Sequence, residues 1–238
     1  MVRQLVRDET GVAKYRHEAL AVVLQVRPGT PRPQLSVLML RRRRDPYAGA
    51  WALPSGPVEA TETVGASVRR HLAAKVDLTQ IAHLEQLRTL SDPGRDPFER
   101  TIATAYLGLV PWTSDPELPA HGAWWPVGAL PEVAFDHRPV IAEGVRRLRA
   151  KLSYTNIGFA LAADEFTMAQ LRRAYAIALD HEVSSTNLQR ILLRRGQLEP
   201  TGDVSASGEQ GGRPAKLFRF TSRELEVTDP FAILRPNE

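Results

Sequence analysis

One amphipathic helix lies among runs of strand-like sequence in the first 137 residues, and this order restricts that part of the chain to a mixed α/β fold. Residues 62–76 carry apolar side chains at four-residue steps, which places one apolar stripe along a helix whose other faces are polar. The stripe consists of Val64, Val68, Leu72 and Val76. Apolar runs typical of strands lie at 19–26, 35–40, 101–110 and 123–127. The first two, joined by a segment rich in Pro and Gly, predict a hairpin.

The chain changes character after Pro139. Apolar residues at helical spacing predict a helix over 139–152, and they are Ile141, Val145, Leu148 and Leu152. Two further helices follow, and then two short strands at 198–201 and 216–220. A length of 238 residues exceeds the usual size of one compact domain. We therefore expect one domain at 1–137 and another at 153–238, joined by a linker helix at 138–152.

The composition excludes several classes of chemistry. The chain has no cysteine, which rules out disulfide frameworks, zinc ribbons, iron–sulfur clusters and thiol nucleophiles. No stretch approaches the roughly 20 apolar residues that span a bilayer, and the first residues are not those of a signal peptide. We therefore expect a soluble, cytoplasmic protein without a membrane partner. The net charge is +4, with 16 basic and 15 acidic residues up to residue 137 and 15 and 12 after it. The excess of positive charge is therefore mostly C-terminal.

A spaced pattern surrounds the first predicted helix. The chain reads Trp-Ala-Leu-Pro-Ser-Gly at 51–56, and the positions that follow at fixed distances include Glu62 and Arg70. This arrangement resembles the Nudix signature, whose required spacing is met by Gly56, Glu62, Arg70, Leu72 and Leu78. The approach to the box, Arg44-Asp45-Pro46 through Gly49, is similar too. The resemblance implies an α/β/α sandwich of the Nudix type.

The departures from that signature concern its metal ligands. In active members, glutamates in the second half of the box hold Mg²⁺, which bridges diphosphate oxygens and activates water. The corresponding positions here are His71, Ala74 and Lys75, and Asp77 replaces a late glycine. Ser55 stands where the usual sequence has a second glycine. We therefore expect no metal site, no catalytic residue and no hydrolysis, although such a fold can still hold a nucleotide diphosphate.

Several side chains of the first half are candidates for contact with that nucleotide. If residues 41–44 alternate along a strand, two of the four arginines face a pocket and two face water. Trp51 either stacks on adenine or packs in the core. Arg70 can also serve the structure, by pairing with Glu62 or a loop carbonyl. The predicted effector-binding residues are Arg43, Arg44, Trp51, Glu62, Arg70, Arg95, Asp96, Asp136 and His137.

The second half has the element order of a winged helix-turn-helix, in which the second helix of the pair enters the major groove and a hairpin wing touches the backbone. Thr167 and Gln170 form a capping box at the start of the first helix of the pair. The recognition helix, within 184–197, contains three arginines and no acid, as phosphate contact and base readout require. The predicted DNA-binding residues are Thr167, Gln170, Ser185, Thr186, Asn187, Arg190, Arg194, Arg213 and Lys216. The alternative is a small helical domain with ordinary exposed arginines, the class to which we assign Arg195 and Arg219.

A broken Nudix box followed by a winged helix resembles the Nudix-related transcriptional regulators, NrtR. The most specific similarities are Arg95-Asp96-Pro97, Phe135-Asp136-His137, Phe166-Thr167 with Leu171, Asn187, and Gly212-Arg213-Pro214. The resemblance implies a homodimeric repressor of NAD biosynthesis and salvage genes. It implies binding to palindromic operators in double-stranded DNA, with ADP-ribose or NAD as the effector and no required cofactor. We expect Asp136 and His137 to couple the effector pocket to the helix that follows.

Two rival functions remain open from the sequence. One is a diverged nucleotide-diphosphate pyrophosphohydrolase of the ADP-ribose class, with a C-terminal domain that only mediates oligomerisation. The other is a nucleotide-binding accessory protein without a DNA target. Ala74 and Lys75 disfavour the first, and the arginine face with Asn187 disfavours the second.

Overall fold

A computed structural model describes residues 6–29, 32–76, 78, 80–205 and 214–229. The chain forms two compact units. The first unit comprises Met1–Leu24, Ser36–Leu109 and Asp115–Val145, and the second comprises Gln25–Leu35, Val110–Ser114 and Arg146–Glu238. Asp77, Gly212 and Arg213, named above, lie outside the described residues.

Strands and two helices build the N-terminal part of the chain. A short antiparallel hairpin is formed by β1 (Val6–Arg7) and β2 (Ala13–Lys14). Seven strands form the main sheet within the described residues: β3 (Arg16–Arg27), β4 (Gln34–Arg41), β5 (Trp51–Ala52), β6 (Ser55–Pro57), β7 (His83–Leu90), β8 (Thr101–Leu109) and β9 (Gly122–Pro126). The helices are α1 (Val64–Val76) and α2 (His137–Tyr154).

The centre of the main sheet is the parallel pair β3 and β8, with Val22 opposite Leu107 and Ala21 opposite Tyr106. The sheet order is β5-β4-β3-β8-β7, while β6 pairs with β3 and β9 pairs with β4. Almost every residue of β3 from Ala19 onward is buried, as in a strand covered on both faces. The sheet order therefore places a doubly buried strand in the middle of the unit.

The two helices cover opposite faces of this sheet. Gly144 of α2 lies against Val22, whereas Gly65 of α1 lies against Tyr106. Val22 and Tyr106 belong to neighbouring register pairs, and successive residues of a strand point to opposite faces. The first unit is therefore an α/β/α sandwich, as the sequence predicted.

Local sequence sets the bounds of these helices. The Thr63 hydroxyl accepts a hydrogen bond from the Ala66 N–H at 3.2 Å, which caps the start of α1. Pro139 lies in the first turn of α2, where a missing N–H costs no intrahelical bond. None of the described helices is long and apolar enough to span a membrane.

The second unit contains the winged helix. Its elements are a 3₁₀ turn at Ile157–Ala160, β10 (Phe166–Thr167), α3 (Met168–Leu179), α4 (Ser185–Arg194), β11 (Leu198–Val204) and β12 (Lys216–Phe220). The strands lie in the order β10-β12-β11, and both neighbouring pairs are antiparallel. Phe166, Phe218 and Phe220 are buried where this small sheet meets the helices. The hairpin wing thus follows the helix pair along the chain, as the sequence predicted.

The chain beyond the wing returns to the beginning of the second unit. Asn156 donates from its amide to the Glu224 carbonyl at 2.8 Å and accepts from the Glu226 N–H at 2.8 Å. Thr155 forms a β-bridge with Val227. Arg195 pairs with Asp229 at 2.5 Å. These contacts tie residues 224–229 to the end of α2 and to the end of α4.

The sequence missed β7, whose residues His83–Leu90 are mostly polar. This strand pairs with β8 alone, so it lies at an edge and buries little besides Leu87 and Leu90. An edge strand needs few apolar residues, and its composition therefore gave no strand signal. The predicted hairpin at 19–26 and 35–40 is present as the neighbouring strands β3 and β4.

The close packing of α2 on β3 gives a stability prediction. Gly144→Ala would bring a methyl group to 2.7 Å from Cγ1 of Val22, whose branched side chain has little freedom to rotate. Overpacking destabilises the fold, whereas the higher helix propensity of alanine partly offsets that cost. We therefore expect the free energy of unfolding, measured with urea, to fall by about 1–2 kcal/mol.

The control for this prediction is Gly128→Ala, where the added methyl meets no atom within 4 Å. Its free energy of unfolding should change by less than about 0.5 kcal/mol. Equal stability of the two variants would contradict the packing of Gly144 on Val22.

Candidate functional site

A polar cavity of about 280 Å³ lies in the first unit. Its lining comes from β3, from the segments after β4 and before β8, from β6 and from the start of α2. The lining residues are Arg16, Glu18, Arg42, Asp45, Pro46, Ser55, Arg95, Asp96, Phe98, Glu99, Phe135 and His137. Its volume is slightly below the range of about 300–1,000 Å³ that is typical of small-molecule sites. The lining groups are chiefly guanidinium, carboxylate and aromatic side chains, which suit a polar ligand with an aromatic part.

A buried ion pair forms one wall of the cavity. Arg95 donates from Nε to one carboxylate oxygen of Asp136 at 3.1 Å and from a terminal nitrogen to the other at 2.9 Å. The Arg95 side chain is only 3% exposed. Because a buried guanidinium needs a countercharge, this pair fixes the segment before β8 to the turn before α2.

His137 is held neutral beside this pair. Its Nδ1 accepts a hydrogen bond from the Leu53 N–H at 3.1 Å, so the ring proton lies on Nε2. Burial lowers the pKa of His137 to about 3, and the charge of Asp136 only partly opposes that effect. His137 lines the cavity, and its Nε2–H is a neutral hydrogen-bond donor.

Aromatic contacts close the same wall. Phe135 has a positive φ of 53°, which is a strained conformation for a residue other than glycine. Its ring contacts those of Tyr47 at 4.9 Å and His137 at 5.4 Å, centroid to centroid. The Arg42 guanidinium lies over the Phe135 ring at 4.6 Å, a cation–π geometry. The strained turn therefore places a ring and a cation side by side at the cavity.

Carboxylates also lie next to Arg16, a further arginine that lines the cavity. Arg16 pairs with Glu18 at 2.5 Å and with Glu99 at 3.0 Å. Asp96 accepts from the Phe98 N–H at 2.9 Å, which shapes the turn before β8. Two of the lining arginines, at positions 16 and 95, are thus already paired with carboxylates.

The Nudix box positions are engaged in contacts that do not suit a divalent cation. Glu62 is paired with Arg70, whose Nε donates to one carboxylate oxygen at 2.9 Å and whose terminal nitrogen donates to the other at 2.5 Å. This contact lowers the pKa of Glu62 to about 2. Nε2 of the buried His71 ring lies 3.0 Å from the Pro57 carbonyl oxygen, and Ala74 offers no ligand.

Lys75 is the last of these box positions, and it also contacts a backbone carbonyl. Its ammonium donates to the Ser55 carbonyl, and Ser55 lines the cavity. Loss of surrounding water lowers the pKa of Lys75, while the Glu18 carboxylate opposes this shift. Among the described residues, no group of three or more His, Asp or Glu side chains is placed to hold a metal ion. The residues present therefore do not fit the magnesium ion of active Nudix enzymes.

The predicted effector residues fall into two groups in the structure. Arg95, Asp96 and His137 line the cavity, and Asp136 supports it. The others do not line it: Arg43, Arg44, Trp51, Glu62 and Arg70.

Arg43, Arg44 and Trp51 were predicted to contact the effector, and the structure shows what they contact instead. β4 ends at Arg41, so strand alternation does not extend over 41–44, and it is Arg42 that faces the cavity. A terminal nitrogen of Arg43 lies 3.2 Å from the ring of His121, and Arg44 is exposed. The half-buried Trp51 ring packs edge-on against Trp125 at 5.2 Å.

Sequence reasoning did not assign any of the other lining residues to the effector site. They are Arg16, Glu18, Arg42, Asp45, Pro46, Ser55, Phe98, Glu99 and Phe135. Phe135 had a signal in the Phe-Asp-His turn. Arg16 and Glu18 had none, because charged residues at the start of a strand are usually solvated.

A candidate DNA-binding surface lies on α4 in the second unit. The Ser184 hydroxyl accepts from the Asn187 N–H at 3.3 Å and caps the helix. Leu188 and Leu192 are buried, which turns the opposite side of the helix outward. That side carries exposed polar residues, and they are Thr186, Asn187, Arg190 and Arg194. Ser185 is exposed too, in the first turn of the helix. A terminal nitrogen of Arg190 donates to Oδ1 of Asn187 at 2.6 Å.

The other predicted DNA-binding residues among those described differ in their contacts and in their exposure to solvent. Thr167 and Gln170 form the capping box of α3, with the Thr167 N–H donating to Oε1 of Gln170 at 2.8 Å. Lys216 is exposed at the start of β12. Arg195 and Arg219 pair with Asp229 and Glu199, consistent with the structural class assigned to them.

An α/β/α sandwich with a degenerate box, followed by a winged helix with a basic reading face, defines a class of nucleotide-sensing DNA-binding proteins. Residues 15–144 match the NUDIX domain family, and residues 158–220 match the NrtR DNA-binding winged helix domain. The chain therefore belongs to the Nudix family and carries a winged helix domain of the NrtR type.

Individual relatives agree with this assignment. The chain is 28% identical over 204 residues to the ADPR responsive transcriptional repressor NtrR of Acinetobacter baylyi, covering 83% of this chain and 80% of that protein. It is 29% identical over 146 residues to the ADP-ribose pyrophosphatase of Methanocaldococcus jannaschii, covering 59% of this chain and 80% of that enzyme.

A solved relative shares both parts of the fold. The NrtR of Shewanella oneidensis in complex with a 27mer DNA matches with a TM-score of 0.71 and 26% identity, over 86% of this chain and 93% of that chain. The Nudix domain of that relative, in complex with ADP ribose, matches with a TM-score of 0.50 and 27% identity, over 59% of this chain and 93% of that chain. The resemblance to NrtR regulators stated from the sequence is thus confirmed.

The neutral state of His137 gives a prediction for pH dependence. The folded-state pKa of about 3 lies below the ordinary value of about 6.5, so the unfolded chain binds a proton at this histidine that the folded chain does not. Stability contributed by the neutral ring is therefore complete above pH 6.5 and is lost as the pH falls toward 3. Between pH 7 and pH 5 the loss amounts to about 2 kcal/mol.

The measurement compares urea unfolding of the wild type and of His137→Asn at pH 7 and pH 5. Asparagine keeps an acceptor for the Leu53 N–H and does not titrate. We expect the pH dependence of the variant to be shallower by about 2 kcal/mol. If the free energy of unfolding changed equally with pH in both proteins, the pKa of His137 would not be lowered in the folded state.

Proposed function

We propose that this chain is a transcriptional repressor that binds operator DNA through α4 and is released by ADP-ribose or a related NAD metabolite bound in the Nudix cavity. The observation that carries the proposal is the outward face of α4, which joins Asn187 to Arg190 and Arg194 without an acidic residue. The similarity to the Acinetobacter repressor and to the DNA-bound Shewanella regulator supports it.

The hydrogen bond between Arg190 and Asn187 supports a role for the two side chains as a unit. A guanidinium has five N–H donors, and the bond to Asn187 uses one of them. Arginine can therefore still donate two parallel hydrogen bonds to O6 and N7 of guanine. The same bond orients the Asn187 amide before DNA arrives, which lowers the entropic cost of ordering it. Arg194 and Lys216 then supply phosphate contacts.

The cavity of the first unit is the proposed effector site. Arg42 supplies a cation beside the Phe135 ring, and the Nε2–H of His137 supplies a neutral donor. Asp96 and Glu99 can accept from ribose hydroxyls, since ionised carboxylates are acceptors only. The ADP-ribose complex of the Shewanella Nudix domain supports this ligand class. With Ala74 and Lys75 in the box, we propose binding without hydrolysis.

Repression and release require two states of different affinity for DNA. A ligand shifts such an equilibrium only by its differential affinity for the two states. We propose that Asp136 and His137 couple the cavity to the linker helix at 138–152, between a domain at 1–137 and one at 153–238. A homodimer then presents two recognition helices to successive major grooves of a palindrome, about 34–36 Å apart. A DNA-binding regulator of this kind acts in the cytoplasm.

An ADP-ribose pyrophosphatase activity is the second candidate function. The match to the Methanocaldococcus enzyme over 146 residues favours it. The pairing of Glu62 with Arg70, together with Ala74 and Lys75, speaks against a bound divalent cation. We therefore rank it below the regulator.

One experiment separates these functions. Purified protein is incubated with upstream DNA of NAD-synthesis genes in a gel-shift assay, with ADP-ribose, NAD or no nucleotide, and the nucleotide is then assayed for cleavage. We expect a shifted band that ADP-ribose or NAD removes, with intact nucleotide recovered. Turnover of ADP-ribose with Mg²⁺ and no effect on DNA would instead establish the hydrolase.

The reading face gives a residue-level prediction. Asn187→Ala and Arg190→Ala should each weaken operator binding by about tenfold or more, because each removes a bidentate contact with a base. Binding is measured by fluorescence anisotropy at fixed salt, and circular dichroism checks the fold.

The control for the reading face is Arg219→Ala, which removes an equal charge from a side chain already paired with Glu199 at 2.7 Å. We expect operator affinity within about twofold of the wild type, since an exposed pair contributes little. Wild-type affinity in the α4 variants would reject the recognition-helix assignment.

A further inference from the structure

The ammonium group of Lys75 lies beside the cavity, against one of its lining residues, and Lys75 stands where the Nudix signature has a metal-binding glutamate. It donates to the carbonyl of Ser55, a residue that lines the cavity. It also interacts electrostatically with Glu18 and Arg16, which line the cavity too. Three lining residues thus locate this cation, although α1 itself contributes no lining side chain among the described residues.

The charges around the cavity show why this cation matters. Among the described lining residues, Arg16, Arg42 and Arg95 face four carboxylates, those of Glu18, Asp45, Asp96 and Glu99. Without a further cation the lining has a net negative charge, which disfavours a diphosphate. A divalent cation solves this problem in active Nudix enzymes by bridging the phosphate oxygens.

The arginines alone do not supply the missing charge. Arg95 is bound in bidentate fashion to Asp136, and Arg16 is held between Glu18 and Glu99. Arg42 remains, and its guanidinium lies over Phe135 and donates to the Pro46 carbonyl at 2.7 Å. Lys75, whose hydrogen-bond acceptor is a neutral carbonyl, is the second cation beside the cavity that a diphosphate can recruit.

We propose that Lys75 takes the place of the divalent cation, so that its ammonium neutralises the diphosphate of the ligand and the cavity binds a nucleoside diphosphate without Mg²⁺. The inference rests on the proposed function, because it takes the cavity as the nucleotide site. An ammonium group has no vacant coordination position, so it lowers the cost of bringing in the diphosphate without activating a water. Binding and hydrolysis are thereby separated at one position of the box.

The test measures ligand binding to the full chain by isothermal titration calorimetry. The ligands are ADP-ribose, NAD and ADP, with adenosine as a probe that lacks the diphosphate. Each titration is made once with EDTA and once with MgCl₂. For the wild type we expect the dissociation constant of ADP-ribose to agree within about twofold between the two conditions.

Variants at position 75 then isolate the charge. Lys75→Ala should weaken ADP-ribose binding about tenfold to a hundredfold in EDTA, the usual effect of losing a charge-assisted hydrogen bond. Lys75→Glu should weaken it further, and Lys75→Arg should restore most of it. Adenosine binding should be the same in all of them, because the charge acts on the phosphates.

The matched control is Arg69→Ala, which removes an equal charge from an exposed side chain on the same helix. It should leave every dissociation constant unchanged. A general loss of positive charge on α1 would weaken binding in this control as well, and would overturn the specific role of Lys75.

The remaining outcomes distinguish a failure of Lys75 from a failure of the nucleotide site as a whole. If the wild type binds none of the three diphosphates in either condition, the nucleotide-sensing function fails and this inference fails with it. If the wild type binds ADP-ribose only with MgCl₂, or if Lys75→Ala binds it as tightly as the wild type in EDTA, only the inference is overturned. Equal weakening of adenosine and ADP-ribose in Lys75→Ala would show a structural role for Lys75 and would also overturn it.

Discussion

The bidentate ion pair between Arg95 and Asp136 is the contact on which the cavity depends. Each partner lies in a segment without regular structure, one before β8 and one before α2, so neither position is set by sheet or helix hydrogen bonds. A guanidinium whose side chain is almost completely removed from solvent has to keep its countercharge, which holds the Phe135-Asp136-His137 turn in place. The same turn contains Phe135 with its positive φ, and it leads into His137, which accepts the bond from the Leu53 N–H.

The second unit is organised by local sequence instead. A capping box begins α3, the Ser184 hydroxyl caps α4, and Gly196 follows that helix with a positive φ of 65°. Such caps each stabilise a helix by about 1 kcal/mol and define where it starts and ends. Because the ends of α4 are fixed and Leu188 and Leu192 are buried, Asn187 and Arg190 point outward, as the helical spacing of these residues indicates.

The first unit depends on a long-range ion pair and the second on local helix caps, and this difference explains how much the sequence could predict. The helices of the second unit, their caps and the outward residues of α4 depend largely on contacts a few residues apart, and helical spacing reveals them. The cavity joins Arg16 to Glu99, which are 83 positions apart, and that pairing follows from the parallel register of β3 and β8. Spacing along the chain carries no information about such a register, so Arg16 and Glu18 were missed. Arg42 was missed by a single residue because the end of β4 depends on its pairing with β5.

The segment after the wing defines the limits of the folded DNA-binding unit. The match to the winged helix domain ends at residue 220, yet Asn156 finds partners for its side chain at Glu224 and Glu226, and Arg195 finds its carboxylate at Asp229. A fragment cut at the motif boundary would leave a buried amide and a largely buried guanidinium without those partners, at a cost of several kcal/mol. For expression of this unit alone, hydrogen bonds rather than motif length place the C-terminal boundary at or beyond residue 229.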